Sequence, residues 1–389
     1  MVMESRSIFV VTSGSGSLDL YSQRLAEDLV ADTLVIDVGR RSGDGFNQPL
    51  FSTSAAARVL SDWQIVRSLR RADSLVHLPN QHLARYGPFL SSPYVVTVHD
   101  LIRWFDGPAE APLISSPNVR DRLHLKLDLA GIRRADAVIA VSQATKRDLV
   151  GAGIEANRIS VVHNGVDQRR FRPVARRPIE DPYVLFVGSE QPRKNLATLL
   201  AAFAQLRRDP QFSRLRLIKV GLPGGREAHF HDETLAAIRR LGLEREVIFT
   251  GWVADEDLPR YYAAAECFVL PSLYEGFGLP ALEAMACGCP VVISTDAALV
   301  EVCGEAAISV DACDTAAITR ALAAVASNSR LRRDLGARGF RRVTAFSWSQ
   351  TARETERVYS DVLARHLRAR QPSAPVTSGD TLADSAARP

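Results

Sequence analysis

Glu275 and Glu283, with seven residues between them, bracket the glycine-rich turn of the stretch Leu273-Tyr-Glu-Gly-Phe-Gly-Leu-Pro-Ala-Leu-Glu-Ala-Met-Ala-Cys-Gly288. An ionised carboxylate accepts hydrogen bonds from two neighbouring hydroxyls, the pattern a sugar ring presents. Gly276 and Gly278 permit a tight backbone, and Pro280 suits the first turn of a helix. Leu279, Leu282 and Ala286 continue an apolar face that Gly288 ends. Upstream, the short apolar run Cys267-Phe-Val-Leu270, closed by Pro271-Ser272, reads as a strand. Strand, turn and helix together aim free amides at whatever occupies the turn, which attracts phosphate or another anion. Two added negative charges do nothing for such an anion. The glutamates therefore act on hydroxyls, or else Glu275 is a solvated loop residue and Glu283 an ordinary helix-start acid.

A second candidate anion site is Arg193-Lys194, in the polar turn Ser189-Glu-Gln-Pro-Arg-Lys-Asn195 between the strand Tyr183-Val-Leu-Phe-Val-Gly188 and a helix Leu196 to Arg207. In an alternating α/β sheet this turn faces the same way as the Glu275 turn. His99 ends another strand, Pro93-Tyr-Val-Val-Thr-Val-His-Asp100. Ligands bind at the carboxyl ends of such strands, so His99 either serves a ligand or bonds its own loop. Gly14-Ser-Gly16 follows the first strand but lacks the full dinucleotide spacing, and a plain loop explains it equally well.

With these residues in place, the Glu275 to Glu283 spacing resembles the Glu-x7-Glu motif of the retaining family-4, or group 1, glycosyltransferases of GT-B fold. Val96-Thr-Val-His-Asp-Leu101 and Val161-Val-His-Asn-Gly-Val-Asp167 are similar to the same family. The resemblance implies that Glu275 holds donor-sugar hydroxyls, Glu283 the ribose hydroxyls, and the amides of Phe277, Gly278 and Leu279 the diphosphate. It implies that Lys194 with Arg193 neutralises the diphosphate leaving group, that His99 contacts the donor sugar near the reaction centre, and that the loop at Gly16 lies over the donor phosphates. Ser189 is a departure, since the family often has arginine right after that glycine. The implied reaction moves a hexose, with a lean to mannose from Pro192-Arg-Lys-Asn195, from a nucleotide diphosphate sugar to an acceptor hydroxyl of a glycan or glycolipid intermediate, with retention. No residue announces itself as a covalent nucleophile, and front-face attack assisted by the departing phosphate is what the family suggests. The resemblance implies metal independence with no cofactor beyond the donor substrate. Two alternatives share the architecture: a nucleotide-sugar 2-epimerase, which consumes donor without acceptor, and a non-catalytic nucleotide-sugar-binding protein.

The elements that must position these groups follow from the rest of the chain. Its 389 residues, 46% hydrophobic and 24% charged, suffice for two domains with separate cores. Short β-branched runs alternate with helical patterns throughout. The expected fold class is α/β, GT-B, with two facing Rossmann-like domains, parallel sheets and a C-terminal crossover helix. The expected divisions are an acceptor-side domain at 1–170, a linker at 171–182, a nucleotide-sugar domain at 183–347, a helix at 348–370 returning to the first domain, and a disordered tail at 371–389. A helix Ala55 to Arg71 and an irregular proline-containing active-site loop between Leu101 and Pro117 complete the first half. The segments Ala135 to Ser142 and Ala264 to Ser272 share one layout of alanine entry, apolar strand and serine exit, as two related halves would.

No apolar run approaches a bilayer span, and the N-terminus passes into a strand with no leader-like core. Five cysteines without a C-x-x-C pair suit reduced thiols in a cytoplasmic protein. A net charge of +4 is too small to argue for nucleic acid. The helix from Asn118 to Arg134, however, carries Arg120, Arg122, Lys126, Arg133 and Arg134, a face that suits peripheral contact with an anionic membrane as well as plain solvation.

Overall fold

The computed structural model describes residues 7–12, 17–29, 33–37, 66–67, 74–105, 113–114, 118–175, 177–223 and 228–370. Two six-stranded, wholly parallel sheets form the scaffold. The first contains β1 (Ser7–Val11), β2 (Thr33–Asp37), β3 (Leu75–Leu78), β4 (Tyr94–Val98), β5 (Ala137–Ala140) and β6 (Ile159–Val161), in the spatial order 2-1-3-4-5-6. The second contains β7 (Tyr183–Val187), β8 (Arg216–Val220), β9 (Val247–Gly251), β10 (Cys267–Leu270), β11 (Val291–Ser294) and β12 (Ala307–Val310), in the order 12-11-10-7-8-9.

Parallel strands are covered on both faces, so their sequences are continuously apolar rather than alternating. In β7, Tyr183 and Leu185 pack into one layer with Phe268, Leu270 and Leu282, whereas Val184 and Phe186 pack into the other with Leu199, Phe203 and Val269. The helix Trp348–Arg370 leaves the second domain and returns to the first. There Val358, Tyr359 and Val362 pack on Leu75, Val95 and Ile139, and Ala352 joins Phe9, Tyr21 and Leu25. This is the crossover expected of two facing Rossmann-like domains.

The strand order locates the crevice. In the second sheet β7, β8 and β9 proceed one way and β10, β11 and β12 the other, so the chain reverses direction between β7 and β10. Doubly wound sheets bind ligands outside the carboxyl ends of strands at such a switch point. The turn after β7 carries Arg193-Lys194, and the turn after β10 carries Glu275.

Two local differences from the sequence reading have physical causes. Leu101 to Pro117 contains a one-turn helix, Ile102–Phe105, started by the Asp100 side chain accepting from the Ile102 amide at 3.3 Å. Residues 81–89 form a tight 3-10 helix, capped by Asn80, in which Pro88 and Gly87 hide any helical periodicity. The predicted helix from Ala55 falls outside the described residues save for 66–67, which are helical, and Gly14, Gly16 and the tail also lie outside them.

Candidate active site

Arg193, Lys194 and Glu275 meet. Leu273 donates its amide to the Arg193 carbonyl at 2.7 Å, tying the two turns together along the backbone. Asn195, in the left-handed region at φ 57°, donates through Nδ2 to the carbonyls of Pro271 at 3.0 Å and Ala312 at 2.7 Å. These bonds fix the cationic turn beside β10. Lys194 Nζ then donates to Glu275 Oε1 at 2.5 Å, Arg193 Nη1 to Oε2 at 3.4 Å, and Ser272 Oγ to Oε1 at 2.7 Å.

Burial sets the electrostatics of this group. It pulls the Lys194 ammonium down from its usual range, against the attraction of Glu275. Burial alone would raise the Glu275 carboxyl, but Lys194 and Arg193 outweigh it and hold the carboxyl below its ordinary value. Glu275 is thus an ionised acceptor with lone pairs to spare beyond its three donors.

The helix Leu279–Ala286 starts at Gly278, whose φ of 98° and tight fit against Leu299, 2.4 Å from where a Cβ would stand, both demand glycine. No side chain caps that start, so the first-turn amides are available to an anion. Asp296 braces the approach. It accepts from the Glu275 amide at 3.2 Å and from Ala298 and Leu299, and burial pushes its carboxyl up to about 6.

Glu283 faces different surroundings. It is half-buried, accepts from Tyr262 Oη at 2.8 Å, and burial pushes its carboxyl up to about 7. The two glutamates therefore separate in character: Glu275 is held charged by cations, and Glu283 titrates near neutrality. Spacing alone treated them alike.

His99 is buried and its Nε2 donates to the Pro79 carbonyl at 2.9 Å, which leaves Nδ1 unprotonated. Burial drops it to about 4, so the ring is neutral. Tyr21 stands edge-on to it at 4.6 Å. The ring thus bonds the Pro79 carbonyl after β3 rather than its own loop, while the His99 backbone carbonyl abuts Gly276 of the donor-side turn.

Several groups that join the domains were not singled out by sequence. Ser142 Oγ donates to the Gly276 carbonyl at 2.7 Å, and Thr145 Oγ1 to the same oxygen at 3.2 Å. Tyr274 Oη donates to Asp148 Oδ2 at 2.6 Å and accepts from the Leu101 amide at 3.2 Å. Arg193 donates its amide to the Leu113 carbonyl at 2.9 Å. Glu301 of the second domain accepts from the Gln143 and Ala144 amides and from His163 Nε2 at 2.8 Å. Ser142 was legible only as the serine that ends its strand, and its partner across the cleft belongs to tertiary structure. The four cysteines at 267, 287, 289 and 303 are buried thiols and Cys313 is exposed, none of them bonded to another.

A cationic turn, an ionised carboxylate and an uncapped helix start at one switch point can together hold a sugar pyrophosphate and stabilise charge that develops on it. Comparison with known proteins agrees. Residues 8–170 match the family described as Glycosyltransferase Family 4, and residues 167–342 match Glycosyl transferases group 1. The chain is 33% identical over 303 residues to the O-antigen chain mannosyltransferase B of Escherichia coli, covering 74% of each. It is 32% identical to the MMP alpha-(1->4)-mannosyltransferase of Mycolicibacterium hassiacum, over 82% of this chain and 77% of that one. The fold is similar to that of Anabaena Alr3699/HepE, solved with UDP and glucose, with a TM-score of 0.74 and 21% identity over 92% of this chain and 100% of that one. The chain belongs to the group 1 glycosyltransferases of GT-B fold, and is a glycosyltransferase enzyme.

Proposed function

We propose that this glycosyltransferase moves mannose from a nucleotide diphosphate sugar to a hydroxyl of a glycan or lipid-linked glycan intermediate, with retention at the anomeric carbon. The observation that carries the reading is the convergence of Lys194, Arg193 and Glu275 beside the uncapped start of Leu279–Ala286. The anomeric C–O bond to the diphosphate breaks, and the new bond forms to the acceptor oxygen on the same face. The acceptor proton passes to the departing phosphate oxygen. Charge developing on the diphosphate is met by Arg193, Lys194 and the amides of Phe277, Gly278 and Leu279. Glu275 orients the donor sugar through its hydroxyls, and Glu283 the ribose. This cationic set supports a metal-independent reaction, since it supplies the positive charge that a divalent ion would otherwise bring to the leaving group. Mannose is favoured by the mannosyltransferase relatives, and a polysaccharide acceptor by the O-antigen enzyme among them.

The reading further places the protein in the cytoplasm, where nucleotide sugars are made, at the membrane surface where a lipid-linked acceptor is presented. No described helix is long and apolar enough to cross a membrane. The test is donor profiling with GDP-mannose, UDP-glucose and ADP-glucose in the presence of chelator, with the anomeric configuration of the product read by NMR. GDP-mannose turnover to an α-linked product, dependent on acceptor, is expected. A β-linked product, or donor consumption without acceptor, overturns it.

A further inference from the structure

The helix Gln143–Gly151, which follows β5 in the first domain, has its start completed by the second. The first-turn amides of a helix have no partner within it. Here Ser142 Oγ accepts from the Thr145 amide at 3.0 Å, while Glu301 of the second domain accepts from the Gln143 amide at 2.8 Å through Oε1 and from the Ala144 amide at 3.2 Å through Oε2. Glu301 Oε1 also accepts from His163 Nε2 at 2.8 Å, so one carboxylate gathers three donors from two separate segments of the first domain. Burial alone would raise that carboxyl, but the His163 bond and the two amides outweigh it and hold it below its ordinary value. It is an anion, largely shielded from water, at the positive end of a helix dipole.

The helix that carries Glu301 is tied to the donor-side turn as well. Asp296, the cap of Ala297–Cys303, accepts from the Glu275 amide at 3.2 Å, and Leu299 fills the space that a side chain on Gly278 would need. Arg342 fixes the far end, donating to the carbonyls of Glu301 at 2.8 Å and Val302 at 2.9 Å. One short helix therefore meets the turn at Asp296 and Leu299 and the opposite domain at Glu301. Ser142 and Thr145 also cross the cleft, to the Gly276 carbonyl, but theirs are neutral hydrogen bonds to a single oxygen. The bonds to Glu301 are charge-assisted and roughly twice as strong.

We propose that Glu301 is a positioning residue for glycosyl transfer, a clasp that holds the first domain at the separation from the donor-side turn at which acceptor hydroxyl and sugar react. It acts through the start of Gln143–Gly151 and through His163, not on a reacting atom. The inference rests on the reading that donor and acceptor meet between the two domains, but domain separation is measured with neither present.

The experiment is small-angle X-ray scattering of the full chain, joined to turnover of GDP-mannose, UDP-glucose and ADP-glucose with a soluble mannoside acceptor and to calorimetry with GDP and UDP. Glu301→Ala is expected to raise the radius of gyration and to lower kcat by about 100-fold, as a displacement on the order of 1 Å does, with nucleotide affinity unchanged. Glu301→Gln, which keeps the size and loses the charge, should fall between this variant and wild type. Gln143→Pro breaks the clasp from the other domain. Proline suits the first helical position, and Ser142 before it is already extended at φ −153° and ψ 164°, so the helix start survives without its 2.8 Å donor to Glu301. This variant should match Glu301→Ala in scattering and in kcat. An unchanged scattering profile in both, full turnover in a chain that has opened, or nucleotide affinity lost in step with kcat would each overturn the inference. Should wild type turn over none of the three donors, the donor reading fails, whereas the clasp stands or falls on the scattering.

Discussion

A Cβ built on Gly276 would stand 1.8 Å from the carbonyl oxygen of His99, so the donor-side turn of one domain rests against a strand end of the other with no room for a methyl group. Ser142 and Thr145 hold the Gly276 carbonyl in that position. Gly276→Ala must therefore push the turn away from the first domain. Displacements on the order of 1 Å near reacting groups cost roughly 100-fold in rate, and kcat is expected to fall by about that much. Nucleotide affinity, measured by calorimetry, should change little, since the second domain retains its helix start. Normal turnover in this variant would mean that the closed arrangement is not the reactive one.

Lys194 and Glu275 form a buried, charge-assisted pair. Removing one partner leaves the other charge uncompensated, at roughly 3–5 kcal/mol. Lys194→Ala should lower both stability in urea and kcat, the latter by roughly 10²–10³-fold if the cation meets developing charge on the leaving group. Glu275→Ala should also lower both, and the double variant should be more stable than the sum of the single losses predicts. A double-mutant cycle that closes additively would show that the pair is not coupled in solution.

Much of this was legible in the chain. Apolar strands such as Tyr183–Val187, punctuated by glycine or serine, announce a parallel sheet because both faces must be buried. The Arg193-Lys194 turn and the Glu275 turn could each be placed at a strand's carboxyl end. What spacing could not supply was environment. Glu275 and Glu283 are the same residue type one helix start apart, yet one sits against two cations and the other against Tyr262. Nor could it show that Glu301 would cap the Gln143 helix, since the partners are 158 residues apart in sequence. Contacts closing across a cleft leave no local periodicity to read.

Glu283 carries a pH signature. Its carboxyl titrates at about 7 in the fold, against an ordinary 4.5. A folded value above the unfolded one contributes stability that is complete below about 4.5 and is lost as pH rises through about 7. Glu283→Gln should therefore melt higher than wild type at pH 8 and show no such gain at pH 4.5. If the ionised form accepts from ribose hydroxyls, wild-type nucleotide affinity rises as pH increases through about 7, with proton release on binding, and the glutamine variant shows neither effect. Calorimetry in buffers of different ionisation enthalpy measures the released proton directly.

The crossover helix is secured by a buried polar chain as well as by packing. Tyr359 Oη lies 2.6 Å from His77 Nδ1, His77 Nε2 lies 2.8 Å from Thr97 Oγ1, and Tyr21 Oη lies 3.2 Å from that hydroxyl. Burial drops His77 to about 3, so its ring is neutral and both nitrogens need partners. Tyr359→Phe keeps the ring's packing but leaves Nδ1 unsatisfied in the core, which should cost about 1–3 kcal/mol in urea unfolding. His77 and His99 both titrate below their ordinary 6.5 in the fold, so the stability they contribute is present above 6.5 and is lost as pH falls towards about 4 and then about 3. His77→Gln should flatten that acid limb. Because Tyr21 connects this chain to the His99 ring, the helix that returns from the second domain fixes the strand end on which Gly276 rests. Tyr359→Phe is thus expected to lower kcat measurably under conditions where the protein remains fully folded. Unchanged turnover there would confine the helix to a stabilising role.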